Sequence, residues 1–170
     1  MGHVTNVYKV ANTIVCSNVG SRLDYRNLLL FVFGTSQTTL RRLQRIQNNL
    51  TRVVCDVGHH QAHSVDLLRE LHWLPVHSRV TFKLATLCFK AHKLGQPSYL
   101  SVQPYVPVRL LRSSDADLLY VPASRTVTAD RRFSCAAPRI WNSLPTHVKA
   151  AISVNIFKSQ LKTRLICGTA

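Results

Sequence analysis

Apolar residues recur at three-to-four spacing through the first two thirds of the chain, the period of a helix with one buried face. Val7, Val10, Ala11, Ile14 and Val15 open the pattern, Gly20 and Ser21 interrupt it, and Arg22 to Phe33 resumes it until Gly34. The clearest amphipathic helix is expected over Gln37 to Cys55, with Ser36 or Thr38 as its cap and Leu40, Leu43, Ile46, Gln47, Leu50, Val53 and Val54 on one side. A short helix from about Ser64 to His72 follows, capped by Ser64. Pro75 breaks it before a longer helix from about Ser78 to Leu94 that Gly95 ends.

Beyond Gly95-Gln96-Pro97 the texture changes. Pro104, Pro107, Pro122, Pro138 and Pro145 punctuate short apolar runs, with Leu118 to Val121 and Arg125 to Thr128 as strand candidates for a short β-hairpin. A final helix is expected from about Val154 to Ile166, with Ser153 as cap and Val154, Phe157, Leu161 and Leu165 as its buried stripe. The fold class is therefore mainly α: a helical bundle over residues 1–97, then a loop-rich appendage over residues 98–170 that ends in a helix.

Charge changes this picture most. The 170 residues carry 22 Lys and Arg against 7 Asp and Glu, a formal net charge of +15. Such an imbalance costs self-repulsion unless a polyanion offsets it, which makes nucleic acid the leading partner. An acidic membrane surface is the rival, but the densest apolar run, Leu28 to Phe33, falls far short of the ~20 residues that span a bilayer. No signal peptide is discernible, and an intracellular location, nuclear or cytoplasmic, is expected. The pattern specifies no oligomeric state.

The cations are arrayed on helices. At ~100° per residue, Arg41, Arg45 and Arg52 fall within ~40° of one another, opposite Leu40, Leu43, Leu50 and Val54. On the Ser78 to Leu94 helix, Arg79, Lys83, Lys90 and Lys93 share a sector of ~80°, with Val80, Leu84, Leu87, Ala91 and Leu94 facing elsewhere. Neither helix contains a carboxylate that could pair with its stripe at i to i+4 spacing. Rows of cations on rigid helices suit a line of phosphates and read no base sequence. The plainer reading is that both faces are simply solvated. Phe82 and Phe89, seven residues apart beside the second stripe, either stack on bases or pack under a neighbouring helix.

Candidate chemistry is sparse. Asp115 and Asp117 form the one close carboxylate pair, in a turn-like Arg112-Ser113-Ser114-Asp115-Ala116-Asp117 stretch where local backbone hydrogen bonding is the expected role. Cys55, His59 and His63 recur every fourth residue, with His60 beside them, but Gly58 is expected to break the helix that would align them, so no metal site is assigned. Cys16, Cys55, Cys88, Cys135 and Cys167 are odd in number and widely spaced, as befits reduced thiols. Trp73 and Trp141, each followed closely by Leu-Pro, are expected to anchor turns. No cofactor is implied.

Certain phrases recur in a telling order: Ser21-Arg22-Leu23-Asp24-Tyr25, Leu43-Gln44-Arg45-Ile46-Gln47-Asn48, Leu71-His72-Trp73-Leu74-Pro75-Val76, Tyr99-Leu100, Arg112-Ser113-Ser114, Phe133 to Pro145 and Phe157 to Leu165. From about Ser21 to Leu165 the chain resembles the segment after the polymerase palm in non-LTR (LINE-type, jockey-like) retrotransposon reverse transcriptases, the thumb and its C-terminal extension. Arg26 and the Leu50-Thr51 pair depart from that pattern. The resemblance implies a non-catalytic piece that lies against the template and primer, RNA and DNA, by backbone contacts. It also implies catalytic aspartates and an endonuclease upstream of the matching region, hence no enzyme here. The alternatives are a protein-interaction remnant that docks on an acidic partner or a polymerase palm through an orphaned Leu28 to Phe33 surface, and an unselected genomic relic.

Overall fold

The computed structural model describes residues 13–14, 21, 36–58, 62–107 and 117–168. The helices expected at Val7 to Val15 and Arg22 to Phe33 lie outside the described residues but for these isolated positions, as do Cys16, His59, His60 and Asp115. The described chain is mainly helical: α1 Gln37–Cys55, α2 Ser64–Glu70, α3 Val76–Leu94, α4 Val127–Asp130, α5 Phe133–Ser143, α6 Thr146–Lys149 and α7 Val154–Cys167. Pairing between extended segments is confined, among these residues, to one antiparallel bridge between Pro104 and Leu119.

The chain forms two compact units, Met1–Arg79 and Val80–Ala170. The division falls inside α3, not at the expected Gly95 to Pro97 boundary. The reason is aromatic: Phe89 of α3 stacks on Phe157 of α7 at a ring-centroid distance of 4.5 Å and lies 6.3 Å from Trp141 of α5. The change in composition beyond Pro97 therefore marks a change in chain texture within one core.

In the first unit, α1 has the expected bounds. The Ser36 hydroxyl caps it by accepting from Thr39 N–H at 3.3 Å. The helix stops at Asp56, which takes up φ 52° and donates its N–H back to the Arg52 and Val53 carbonyls, two residues before Gly58. Asp is among the few non-glycine residues that enter this region at modest cost. For α2 the N-cap is His63, without a side-chain hydrogen bond, and Ser64 is already helical, which corrects the expected cap.

The buried face of α1 differs from the apolar count. Gln47, Thr51 and Val54 are buried and Leu40, Leu43 and Leu50 are half-buried, whereas Ile46 and Val53 are 50% and 73% exposed. Two glutamines draw the face round. Gln47 Nε2 donates to the Leu74 carbonyl at 2.8 Å, and the Val76 N–H donates to Gln44 Oε1 at 2.9 Å. Gln44 Nε2 donates in turn to Asn48 Oδ1 at 2.8 Å, which orients the amide. The backbone on both sides of Pro75 is thus satisfied by side chains of α1, since a proline turn cannot complete its own ladder.

In the second unit, Trp141, Phe157 and Phe89 make the centre of the core, with Leu161, Cys88 and Leu119 around them. Each aromatic pair contributes about 0.5–1.5 kcal/mol beyond its area. Residues 125–143 are more helical than the proline count implies. Thr126 caps α4 by accepting from Ala129 N–H at 3.1 Å, so the Arg125 to Thr128 strand candidate is instead a helix start. Pro138 sits within α5 and is buried with Ala136 and Ala137. The last helix has its expected start and cap, with Ser153 Oγ accepting from Ile156 N–H at 3.3 Å and with Phe157 and Leu161 fully buried.

Candidate nucleic-acid interface

The first basic stripe stands on α1, a helix that contains no acidic residue. Arg41 and Arg45 are exposed and have no carboxylate partner among the described residues. Arg52 is half-buried in the last turn, where a cation is favoured by the helix dipole, and its Nε is a buried donor without a hydrogen-bond partner. Arg42 is exposed as well. It shares a side of the helix with Ile46 and Val53, and its one signal in the sequence is its place beside Arg41 in an acid-free helix. Once those two apolar residues prove exposed, the open face of α1 runs from Arg45 across Arg42 to Val53. At its end Asn49, Arg52, Val53, Asp56, Val57 and Gly58 line a shallow pocket of about 470 Å³.

Most of the second stripe is engaged by neighbours within the protein. Lys93 Nζ donates to Asp117 Oδ2 at 2.7 Å, and His92 Nε2 lies 2.9 Å from Asp117 Oδ1. Burial works to raise the Asp117 carboxyl, but hydrogen bonds from Lys93 and His92, and their charge, hold it below the ordinary carboxylate value. Lys93 is therefore no unpaired cation, contrary to expectation. Arg79 and Lys83 are half-buried and engaged with neighbours. Lys90 is half-buried with no carboxylate partner among the described residues.

Asp117 is not the local turn residue expected of it. Besides its two side-chain partners, its carbonyl accepts the Trp141 indole N–H at 2.7 Å. The next turn of the chain is held too: Leu119 N–H donates to Asn142 Oδ1, and Asn142 Nδ2 donates to the Leu119 carbonyl, both at 2.9 Å. Trp141 thus anchors a turn, as its Leu-Pro context suggests. Phe89 is 1% exposed, which removes it as a base platform and assigns it to packing.

No metal-binding group of three or more His, Cys, Asp or Glu exists among the described residues, and no described helix is long and apolar enough to cross a membrane. Cys55, Cys88, Cys135 and Cys167 are free thiols. Burial, helped by the nearby Asp117 charge, pushes the Cys88 thiol up to about 12. In comparison with known proteins the chain matches no family model, no curated protein and no solved structure.

Proposed function

We propose that this chain is a non-catalytic nucleic-acid-binding module, similar to the thumb and C-terminal extension of a non-LTR retrotransposon reverse transcriptase, that grips the backbone of an RNA/DNA duplex. The observation that carries the reading is the acid-free helix α1 with Arg41, Arg42 and Arg45 open to solvent on a rigid scaffold. Guanidinium groups on such a row gain charge-assisted hydrogen bonds to successive phosphates and release counterions. The motif residues support the same reading by what they do. Gln44 and Gln47 of one phrase tie down Leu74 and Val76 of the next, which fixes α1 against that turn. Asp117, the described member of the carboxylate pair, is committed to Lys93 and His92.

A salt titration of binding to an RNA/DNA hybrid tests the proposal. Affinity at low salt that falls linearly with log salt is expected, and Arg41→Gln with Arg45→Gln together should lower the slope by about 2 without regard to base sequence. Absence of binding at low salt, or binding with no salt slope, overturns it.

The second reading, docking on an acidic partner or a polymerase palm, is favoured by one observation: Ile46 and Val53 lie exposed beside the arginines. A chain that ignores nucleic acid yet becomes soluble only with such a partner would establish that role instead.

A further inference from the structure

The extended pair in the second unit has an unusual outer face. Pro104 and Leu119 stand opposite each other, flanked by Tyr105 N–H donating to the Leu118 carbonyl at 2.9 Å and Tyr120 N–H donating to the Gln103 carbonyl at 2.8 Å. Side chains alternate across such a ladder. Leu119, 1% exposed, points into the core, so Tyr105 and Tyr120 share the opposite face, and they are 50% and 47% exposed. Their register is diagonal, one on each segment, which makes them near neighbours on that face.

The platform is held rigid from behind. Asn142 occupies both backbone groups of Leu119, and the Trp141 indole and the Lys93 and His92 side chains fix Asp117 two residues earlier. Rigid placement matters because a ring that is already ordered loses little entropy when a base settles on it. Cations stand near in the chain. Half-buried Lys90 stands on α3 and exposed Arg125 follows Tyr120 by five residues, neither with a carboxylate partner among the described residues.

We infer that Tyr105 and Tyr120 form a stacking platform for the unpaired bases of a single-stranded nucleic acid. This deepens the proposed function and rests on it, since the chain must first bind nucleic acid through its cations. Aromatic rings interleaved with cations suit single strands because every base offers a π face, whereas a duplex keeps its bases stacked on one another. The platform therefore adds preference for a single-stranded segment, such as an overhang beside a hybrid, and adds no base specificity.

The test uses the full chain and an RNA strand bearing one 2-aminopurine, whose emission is quenched by stacking, alongside a blunt RNA/DNA hybrid. The wild-type chain is expected to quench the strand on binding. Tyr105→Ala with Tyr120→Ala should weaken single-strand binding by roughly fivefold to a hundredfold per ring, abolish the quench, and leave the salt slope and hybrid affinity unchanged. The Tyr105→Phe, Tyr120→Phe pair should behave as wild type, because Phe keeps the ring. Tyr99→Ala, which removes an 83% exposed ring outside the ladder, should have no effect. Persistence of affinity and quench in the alanine pair overturns the platform and leaves the phosphate-binding role standing, as does an equal loss from Tyr99→Ala. Failure of the wild-type chain to bind either nucleic acid at low salt overturns both.

Discussion

The basic helix α1 of the first unit and the cations around Asp117 and Asp130 in the second are used differently. In the first, Arg41, Arg42 and Arg45 of α1 lie open while uncharged glutamines on another side of the helix hold the Leu74 to Val76 turn. In the second, cations close internal contacts: Lys93 and His92 on Asp117, Arg139 on Asp130 at 2.7 Å. With seven carboxylates for 22 Lys and Arg, the positions of the few acids decide which cations are available to a partner. Net charge alone says only that many must be. Both units use side chains to satisfy backbone, and the second adds a buried aromatic cluster.

Substitution at the aromatic cluster breaks this contrast most severely. Trp141→Ala should cost about 3–5 kcal/mol and remove amide-exchange protection from α5 and α7, because Trp141 meets Phe89, Phe157 and His92 and holds the Asp117 carbonyl. Retention of wild-type protection in both helices would show that the cluster is not the core's centre.

A smaller effect is expected in the first unit. Gln47→Ala leaves the Leu74 carbonyl buried without its donor and should destabilise by about 1–3 kcal/mol in urea titration, while Arg45→Gln stays within about 0.5 kcal/mol. Equal costs at the two positions would contradict the division between structural amides and open guanidinium groups.

Acid sharpens the comparison in the second unit. Asp117 is held below its ordinary value of 3.8 in the folded chain, so the unfolded chain takes up its proton first as pH falls. Its stabilisation is present above the ordinary carboxylate value and is lost as pH drops through the lower folded value. Urea midpoints between pH 5 and pH 3 should fall more in the wild type than in Asp117→Asn; parallel declines would remove Asp117 from the acid response.

The subtlest contrast concerns thiols. Cys167 is exposed and should be alkylated readily near neutral pH, whereas Cys88, fully buried and pushed up to about 12, should react only on unfolding. Fast native labelling at Cys88, read by peptide mass, would place it in a more open environment than its burial allows.

Much of the helical framework was legible beforehand. The start, end and cap of α1, the close of α3 at Gly95 and the cap of α7 at Ser153 follow from local chemistry: a hydroxyl that accepts a free N–H, a glycine at φ +62°, a periodic stripe. The helix α5 was hidden by Pro138, and α4 by a β-branched run that Thr126 converts to a helix start. Within the candidate interface, the exposure of Arg41 and Arg45 agreed with helical periodicity, while the pairing of Lys93 did not, since Asp117 lies 24 residues further along the chain.

The sequence by itself determined where helices begin, which cations line up along them, and that acids are too few to neutralise them, because these depend on neighbours within a turn or two. Only the tertiary structure decided which face of α1 is buried, which lysine is consumed and which aromatic rings remain in water. Those outcomes turn on partners far apart in the chain, where one amide, carboxylate or indole selects among faces that periodicity leaves equivalent.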